Sequence, residues 1–97
     1  MELKISHHFL IKLNIQVDYI AQHRPNVARK FKNELIQSLK TIGLNPWKNR
    51  KSIFFDSDEI RDFIFKKHII VYKIDQSKNE IVVFSLVYNQ ESTTDKS

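Results

Sequence analysis

Alternating and periodic apolar positions predict a strand and two helices in the first half of the chain. Residues 3–6 alternate between apolar and polar side chains, which is typical of a half-buried strand. From residue 8 onward, apolar residues recur at intervals of three and four, which predicts an amphipathic helix. This helix must end before Pro25, because the residue preceding a proline is disfavoured in the helical region, and Pro25 suits the first turn of a second helix. The buried stripe of the second helix is predicted to consist of Ala28, Phe31, Leu35, Leu39 and Ile42.

The end of the second helix is the best-marked boundary in the sequence. Gly43 is followed by Asn45 and Pro46, in the usual order of a left-handed helix cap and then a proline. The pattern after Pro46 is typical of a loop as far as residue 58. The apolar residues 53–55 are expected to hold this loop against the rest of the protein.

Three further strands are predicted at residues 59–65, 68–74 and 80–88, and consecutive strands of this kind form an antiparallel meander. The last strand is almost entirely apolar, so we expect it at the centre of the sheet with both faces covered. The predicted fold is α+β, of order βααβββ: an antiparallel four-stranded sheet with the N-terminal helical hairpin packed on it. Residues 1–90 form this single domain, and the polar residues 91–97 are expected to be a disordered tail.

Composition excludes several classes of function. A chain of 97 residues has room for one small hydrophobic core. It contains no cysteine, so disulfides, thiolate catalysis and cysteine zinc sites are excluded, and a single glycine leaves no Gly-rich phosphate loop. We therefore predict no cofactor and no metal. No apolar run has the length of a membrane span and no signal peptide is recognisable, so a cytoplasmic location without membrane contact is expected.

The positive charge is concentrated in one segment. The formal net charge is +5, but residues 24–51 alone hold eight basic residues against one acidic residue, a net charge of +7. Such a field suits an anionic partner, although lysines on a helix often form only its solvated face. Basic residues next to an aromatic ring can hold phosphate while the ring stacks on a base. The candidate residues for binding a target or nucleic acid are Arg29, Trp47, Lys48, Arg50 and Lys51.

Few residues carry an obvious signal of catalysis. The four histidines do not occur at metal-ligand spacing, and His68 could serve as a general acid or base or simply as a turn residue. The acidic residues between positions 56 and 62 are expected to solvate a turn or to pair with lysines. Arg61 lies within a predicted strand, where a charged residue either points to a partner or is paired within the fold. Both interpretations stay open at this stage.

An ordered set of short motifs resembles one known family. The set comprises Tyr19-Ile20-Ala21, Pro25 with Ala28 and Phe31, Leu39 with Pro46, Ile60-Arg61-Asp62-Phe63, Ile70-Val71-Tyr72 and residues 81–88. In a small basic chain without cysteine, this set resembles the RelE/ParE family of toxins. The resemblance implies the βααβββ fold and a bacterial type II toxin-antitoxin module of the plasmid-stabilisation type, in which an acidic antitoxin wraps a growth-inhibiting toxin. An antitoxin of this kind would occupy an apolar groove with a basic rim between the helical hairpin and the sheet.

The family contains two activities. ParE-like members act on DNA gyrase, and the hairpin motif is more similar to theirs, so a gyrase inhibitor that is not an enzyme is expected. RelE-like members cut messenger RNA on the ribosome, and in that alternative Arg61, Lys66 and Tyr88 would be catalytic in a metal-independent endoribonuclease. Two positions at which RelE-like members carry arginine and histidine are Ile70 and Tyr88 here. A third alternative is a protein with the toxin fold but no activity, which acts only as a binding partner.

Overall fold

The computed structural model describes residues 1–88, so the predicted tail at residues 91–97 lies outside the described residues. Both predicted helices and the three predicted later strands are present. The elements in chain order are β1 (Glu2–Ile5), α1 (His7–Ala21), α2 (Pro25–Leu44), a short 3₁₀ helix (Pro46–Lys48), β2 (Arg50–Lys51), β3 (Ile60–Phe65), β4 (His68–Asp75) and β5 (Glu80–Tyr88).

The strands form one sheet in the order β1-β5-β4-β3-β2. The prediction of an antiparallel four-stranded sheet was wrong in two details. First, residues 50–51, which were predicted to be part of a loop, form a fifth strand, β2. Two residues are too few to show a period in the sequence, so this strand was not predicted. Second, β1 pairs with β5 in parallel, with Leu3 opposite Ile81, whereas the other neighbours are antiparallel. Alternation of side chains predicts a strand but not its direction, which the connection through the helices decides.

The helical hairpin covers one face of the sheet. The Ser6 side chain caps α1 by accepting a hydrogen bond from the backbone N–H of Phe9 at 3.1 Å, and Pro25 occupies the first turn of α2. All five residues of the predicted stripe of α2 are buried, which confirms it. All of them except Ala28 form one core cluster with Phe9 and Leu13 of α1 and with apolar residues of β3, β4 and β5. Within residues 1–88, neither helix has the length and hydropathy of a membrane span.

The strand that is covered on both faces is β4, not β5 as predicted. Residues 68–72 are all buried, whereas buried and partly buried residues mostly alternate along β5. The loop at residues 52–58 folds over the face of the sheet opposite the helices, where the ring of Phe55 lies 5.7 Å from that of Phe84. The backbone N–H of Ile53 also donates to the buried carboxylate of Asp62 at 3.0 Å. This second cover explains why Ile69 and Val71 are almost inaccessible to solvent.

Candidate functional site

Arg61 is paired within the fold. From β3 its guanidinium donates hydrogen bonds to the backbone carbonyls of Asp58 at 2.8 Å and Asn49 at 2.9 Å, and more weakly to that of Trp47 at 3.4 Å. It also lies over the indole of Trp47, 5.0 Å from the ring centroid, in a cation–π contact. The same side chain therefore connects the 3₁₀ segment to the start of β3.

A buried tyrosine anchors the same segment from the centre of the sheet. The hydroxyl of Tyr72 in β4 donates to the carbonyl of Pro46 at 2.5 Å and accepts from the side-chain amide of Asn49 at 3.0 Å. Burial raises the pKa of Tyr72 above its ordinary value, so this hydroxyl keeps its proton. Arg61 and Tyr72 are neighbours across β3 and β4 in the register of the sheet. Together they hold the Trp47 segment against the sheet edge.

The basic residues beside Trp47 differ in how free they are. Arg50 is paired with the buried carboxylate of Asp62 at 3.4 Å, and Lys51 with Asp58 at 2.7 Å, which lowers the pKa of Asp58. Lys48 is exposed and makes no ion pair with any residue that the structure describes. We call the surface of Trp47, Lys48, Arg50 and Lys51 the basic corner.

Arg29 does not belong to the basic corner. It lies in the first turns of α2 and donates to the side chain of Asn26 at 3.3 Å. The basic corner follows the other end of this helix, 15 residues later at Leu44, which corresponds to about 22 Å at 1.5 Å per residue. The structure therefore brings together four of the five basic or aromatic residues selected from the sequence.

The three residues considered for a ribonuclease do not form one cluster. Lys66 occupies the tight turn between β3 and β4 and pairs with Glu34 of α2 at 2.6 Å, which lowers the pKa of Glu34. Tyr88 lies opposite His68 of β4, whereas Arg61 lies opposite Tyr72 of β4. His68 and Tyr72 are four residues apart along β4. This spacing corresponds to about 13 Å at 3.3 Å per residue. Arg61 thus lies at one end of β3, and Lys66 and Tyr88 lie near the other.

Tyr88 lies instead in a surface groove between α1 and the end of the sheet. Its apolar walls include Ile15 and Tyr19 of α1 and Leu86 of β5. Towards the start of α2 the groove has a section of about 530 Å³, which Val27 also lines. Ile15, Tyr19 and Tyr88 are 63%, 67% and 44% exposed, and large apolar side chains grouped in this way mark a binding surface. We call this feature the Tyr88 groove.

The rim of the Tyr88 groove is basic. Lys12 of α1, Arg24 before α2 and Lys67 before β4 all line it, together with His23. No aspartate or glutamate lines the three sections of the groove within residues 1–88. The groove therefore has the position and the character that the family resemblance implied, apolar inside and positively charged at its edge.

The floor of the Tyr88 groove contains a residue whose role the sequence did not reveal. His68 is the first residue of β4 and is only 6% exposed, although its position after two lysines resembles that of a turn residue. Burial lowers the pKa of His68, so the imidazole is neutral near pH 7. No group of three histidine or acidic side chains in the described part of the chain is arranged to hold a metal ion.

Comparisons with known proteins agree on one class of protein. A family model described as the ParE toxin of the type II toxin-antitoxin system, parDE, matches residues 3–92. A solved chain from the chromosomal ParDE TA system of P. aeruginosa is similar in structure, with a TM-score of 0.75 over 91% of this chain and 95% of that chain. The two sequences are 13% identical, so this likeness shows a shared fold. No curated protein matches the sequence significantly.

Proposed function

Because the chain belongs to the ParE family of type II toxin-antitoxin toxins, we propose that it inhibits growth in the bacterial cytoplasm by acting on DNA gyrase. We further propose that an acidic antitoxin neutralises it by occupying the Tyr88 groove. The observation that carries the second proposal is the groove itself, with its exposed apolar walls and basic rim.

The chemistry of the Tyr88 groove suits an amphipathic segment with acidic residues at its border. Exposed isoleucine and tyrosine side chains offer the apolar area that drives association, and aromatic residues often form the centre of such an interface. The cations at the rim favour a negatively charged partner and increase its association rate. An antitoxin with an acidic amphipathic helix would satisfy both requirements.

A matched pair of substitutions tests the groove. Ile15 in the groove is 63% exposed and Ile53 on the opposite face of the sheet is 61% exposed, so either can be changed without disturbing the core. We expect Ile15→Glu to weaken binding of the cognate antitoxin by about 100-fold, because it places a carboxylate in an apolar contact. Ile53→Glu should leave the affinity unchanged. Equal effects of the two variants in calorimetric titration would contradict the proposed site.

The position of Arg61 supports gyrase over messenger RNA as the target. Cleavage of RNA without a metal ion needs cations that stabilise a dianionic phosphorane next to a group that donates a proton. Here the guanidinium of Arg61 is occupied by backbone carbonyls and by Trp47, and it is about 13 Å along the sheet from Tyr88. A protein that acts by docking requires no such cluster, and the basic corner offers an exposed surface for this purpose.

Pulse labelling after induction in bacteria distinguishes the targets. We expect thymidine incorporation to fall within the first minutes while incorporation of an amino acid continues, and the purified protein to block supercoiling by gyrase. An early stop of translation would instead indicate a ribosome-dependent ribonuclease. No effect on either would indicate a protein that only binds a partner.

A charge reversal tests the basic corner within the same assay. Lys48→Glu should weaken inhibition of supercoiling, because it reverses a charge that no ion pair within residues 1–88 restrains. Lys32→Glu changes an equally unpaired and exposed lysine on α2 and is the control. If both variants inhibit as strongly as the unaltered protein, the basic corner is not the docking surface.

A further inference from the structure

His68 is a buried polar residue without a polar partner. Neither ring nitrogen has a hydrogen-bond partner among the described residues, although the side chain is only 6% exposed. Its imidazole is held between two aromatic rings, with centroid distances of 5.1 Å to Phe31 and 5.3 Å to Tyr88. Buried polar groups in proteins are almost always hydrogen-bonded, so this exception calls for a physical reason.

The surroundings of His68 suggest the reason. The residue lines the section of the Tyr88 groove that also includes Lys12, Gln16 and Leu86. The covering ring, Tyr88, is itself 44% exposed and lies at the end of β5. Because His68 itself lines this section, a side chain that enters the groove beside Tyr88 comes next to the imidazole. A neutral imidazole then offers one N–H donor and one acceptor nitrogen.

We propose that His68 donates a hydrogen bond to a carboxylate side chain of the antitoxin when the antitoxin occupies the Tyr88 groove. This inference rests on the proposed function and adds a specific polar contact to it. A carboxylate fits better than an amide or hydroxyl, because Lys12 lines the same section of the groove and Lys67 lines the adjoining one. His68 thus costs stability in the free toxin and contributes affinity in the complex.

The exchange His68→Phe separates this proposal from a purely structural role. Phenylalanine keeps a ring between Phe31 and Tyr88 but removes both nitrogens. The midpoint of thermal unfolding of the free toxin should rise by about 5 °C, because an unsatisfied buried polar group is removed. The affinity for the cognate antitoxin should fall by about 10-fold or more, since a hydrogen bond to a charged group is lost.

The same exchange at an exposed histidine is the control. His7 is exposed in the first turn of α1, so His7→Phe should change neither the unfolding midpoint nor the affinity. If His68→Phe binds the antitoxin as tightly as the unaltered toxin does, the proposed contact is wrong while the groove proposal stands. If the unaltered toxin does not bind the antitoxin at all, the proposed function itself fails.

A measurement on the unaltered protein covers the case in which His68→Phe does not fold. The imidazole nitrogens of His68 can be followed by NMR through a pH titration, with and without the antitoxin. Charged groups on the elements around His68 are Lys12 of α1, Glu34 of α2 and Lys66 and Lys67 of the turn, and β5 contributes Tyr88 and Leu86 to its surroundings. A carboxylate partner should raise the pKa of His68 in the complex. An unchanged or lower pKa would refute the contact.

Discussion

Replacement of Arg61 by alanine should destabilise the protein rather than remove a catalytic group. The variant loses two good hydrogen bonds, at 2.8 and 2.9 Å, a weak third at 3.4 Å and the stack on Trp47. Arg61 is only partly buried, so water replaces some of these contacts, and each good bond contributes about 1 kcal/mol. With a smaller contribution from the stack, the free energy of unfolding should fall by about 2 kcal/mol. For a domain of this size, that corresponds to a decrease of about 10 °C in the midpoint of thermal unfolding.

Thermal unfolding followed by circular dichroism measures this effect, with Lys51→Ala as the control. Lys51 is a neighbour of Arg61 in the sheet, but its ion pair with Asp58 is exposed to solvent on both sides, so its loss should hardly move the midpoint. Arg61→Lys keeps the charge but loses the planar guanidinium with its several donors. Its unfolding midpoint should therefore be close to that of Arg61→Ala. A midpoint for Arg61→Ala within about 2 °C of the unaltered protein, combined with loss of toxicity, would refute this reasoning. Arg61 would then act directly on the target.

Three other substitutions or conditions test the remaining parts of the structure. Tyr72→Phe removes the buried hydroxyl that binds the carbonyl of Pro46 and should cost about 1 to 2 kcal/mol in chemical denaturation, whereas no change would mean that this bond adds nothing. Asp62→Ala leaves the backbone N–H of Ile53 without its acceptor, so hydrogen exchange at Ile53 should accelerate while exchange in α2 is altered less. Burial lowers the folded-state pKa of His68 below its ordinary value of 6.5, so as the pH falls below 6.5 the unfolded state binds a proton before the folded state does, and stability decreases until the lowered pKa is reached. His68→Phe should flatten this part of the stability profile, and an unchanged slope would show that another group titrates there.

The sequence predicted the elements that are long and periodic. Pro25 marks the start of α2, and the apolar stripe of this helix is strong enough to identify every buried position. The left-handed cap predicted at Gly43 was wrong, because Gly43 has no positive φ and the helix continues to Leu44, where Asn45 (φ −150°) and Pro46 end it. In contrast, β2 exists only because Arg50 and Lys51 lie beside Asp62 and Arg61 on the edge of β3, and such pairing has no local signal. The apolar composition of β5 indicated burial on both faces, but the loop at residues 52–58 supplies the cover over the second face, and β4 rather than β5 is buried on both sides.

The candidate site was accessible from the sequence only in part. Trp47 and its basic neighbours are close together in the sequence itself, so the basic corner could be predicted. The pairing of Arg61 with the carbonyls of Asn49 and Asp58 depends on where a loop returns to the sheet, which no side-chain pattern encodes. The environment of His68 similarly depends on three elements that meet only in the folded protein, namely α1, α2 and β5.

The parallel pairing of β1 with β5 determines when the sheet can be completed during synthesis of the chain. β1 is made first, but its partner consists of residues 80–88, and the hydroxyl of Ser6 donates to the carbonyl of Phe84 across 78 positions of sequence. Contacts of such long range form late in folding, after the intervening loop has been closed. A nascent chain on the ribosome therefore holds an incomplete sheet and lacks the Tyr88 wall of the groove. Both the sheet and the Tyr88 groove are complete only after translation has passed residue 88, so a ligand of this groove can bind only then.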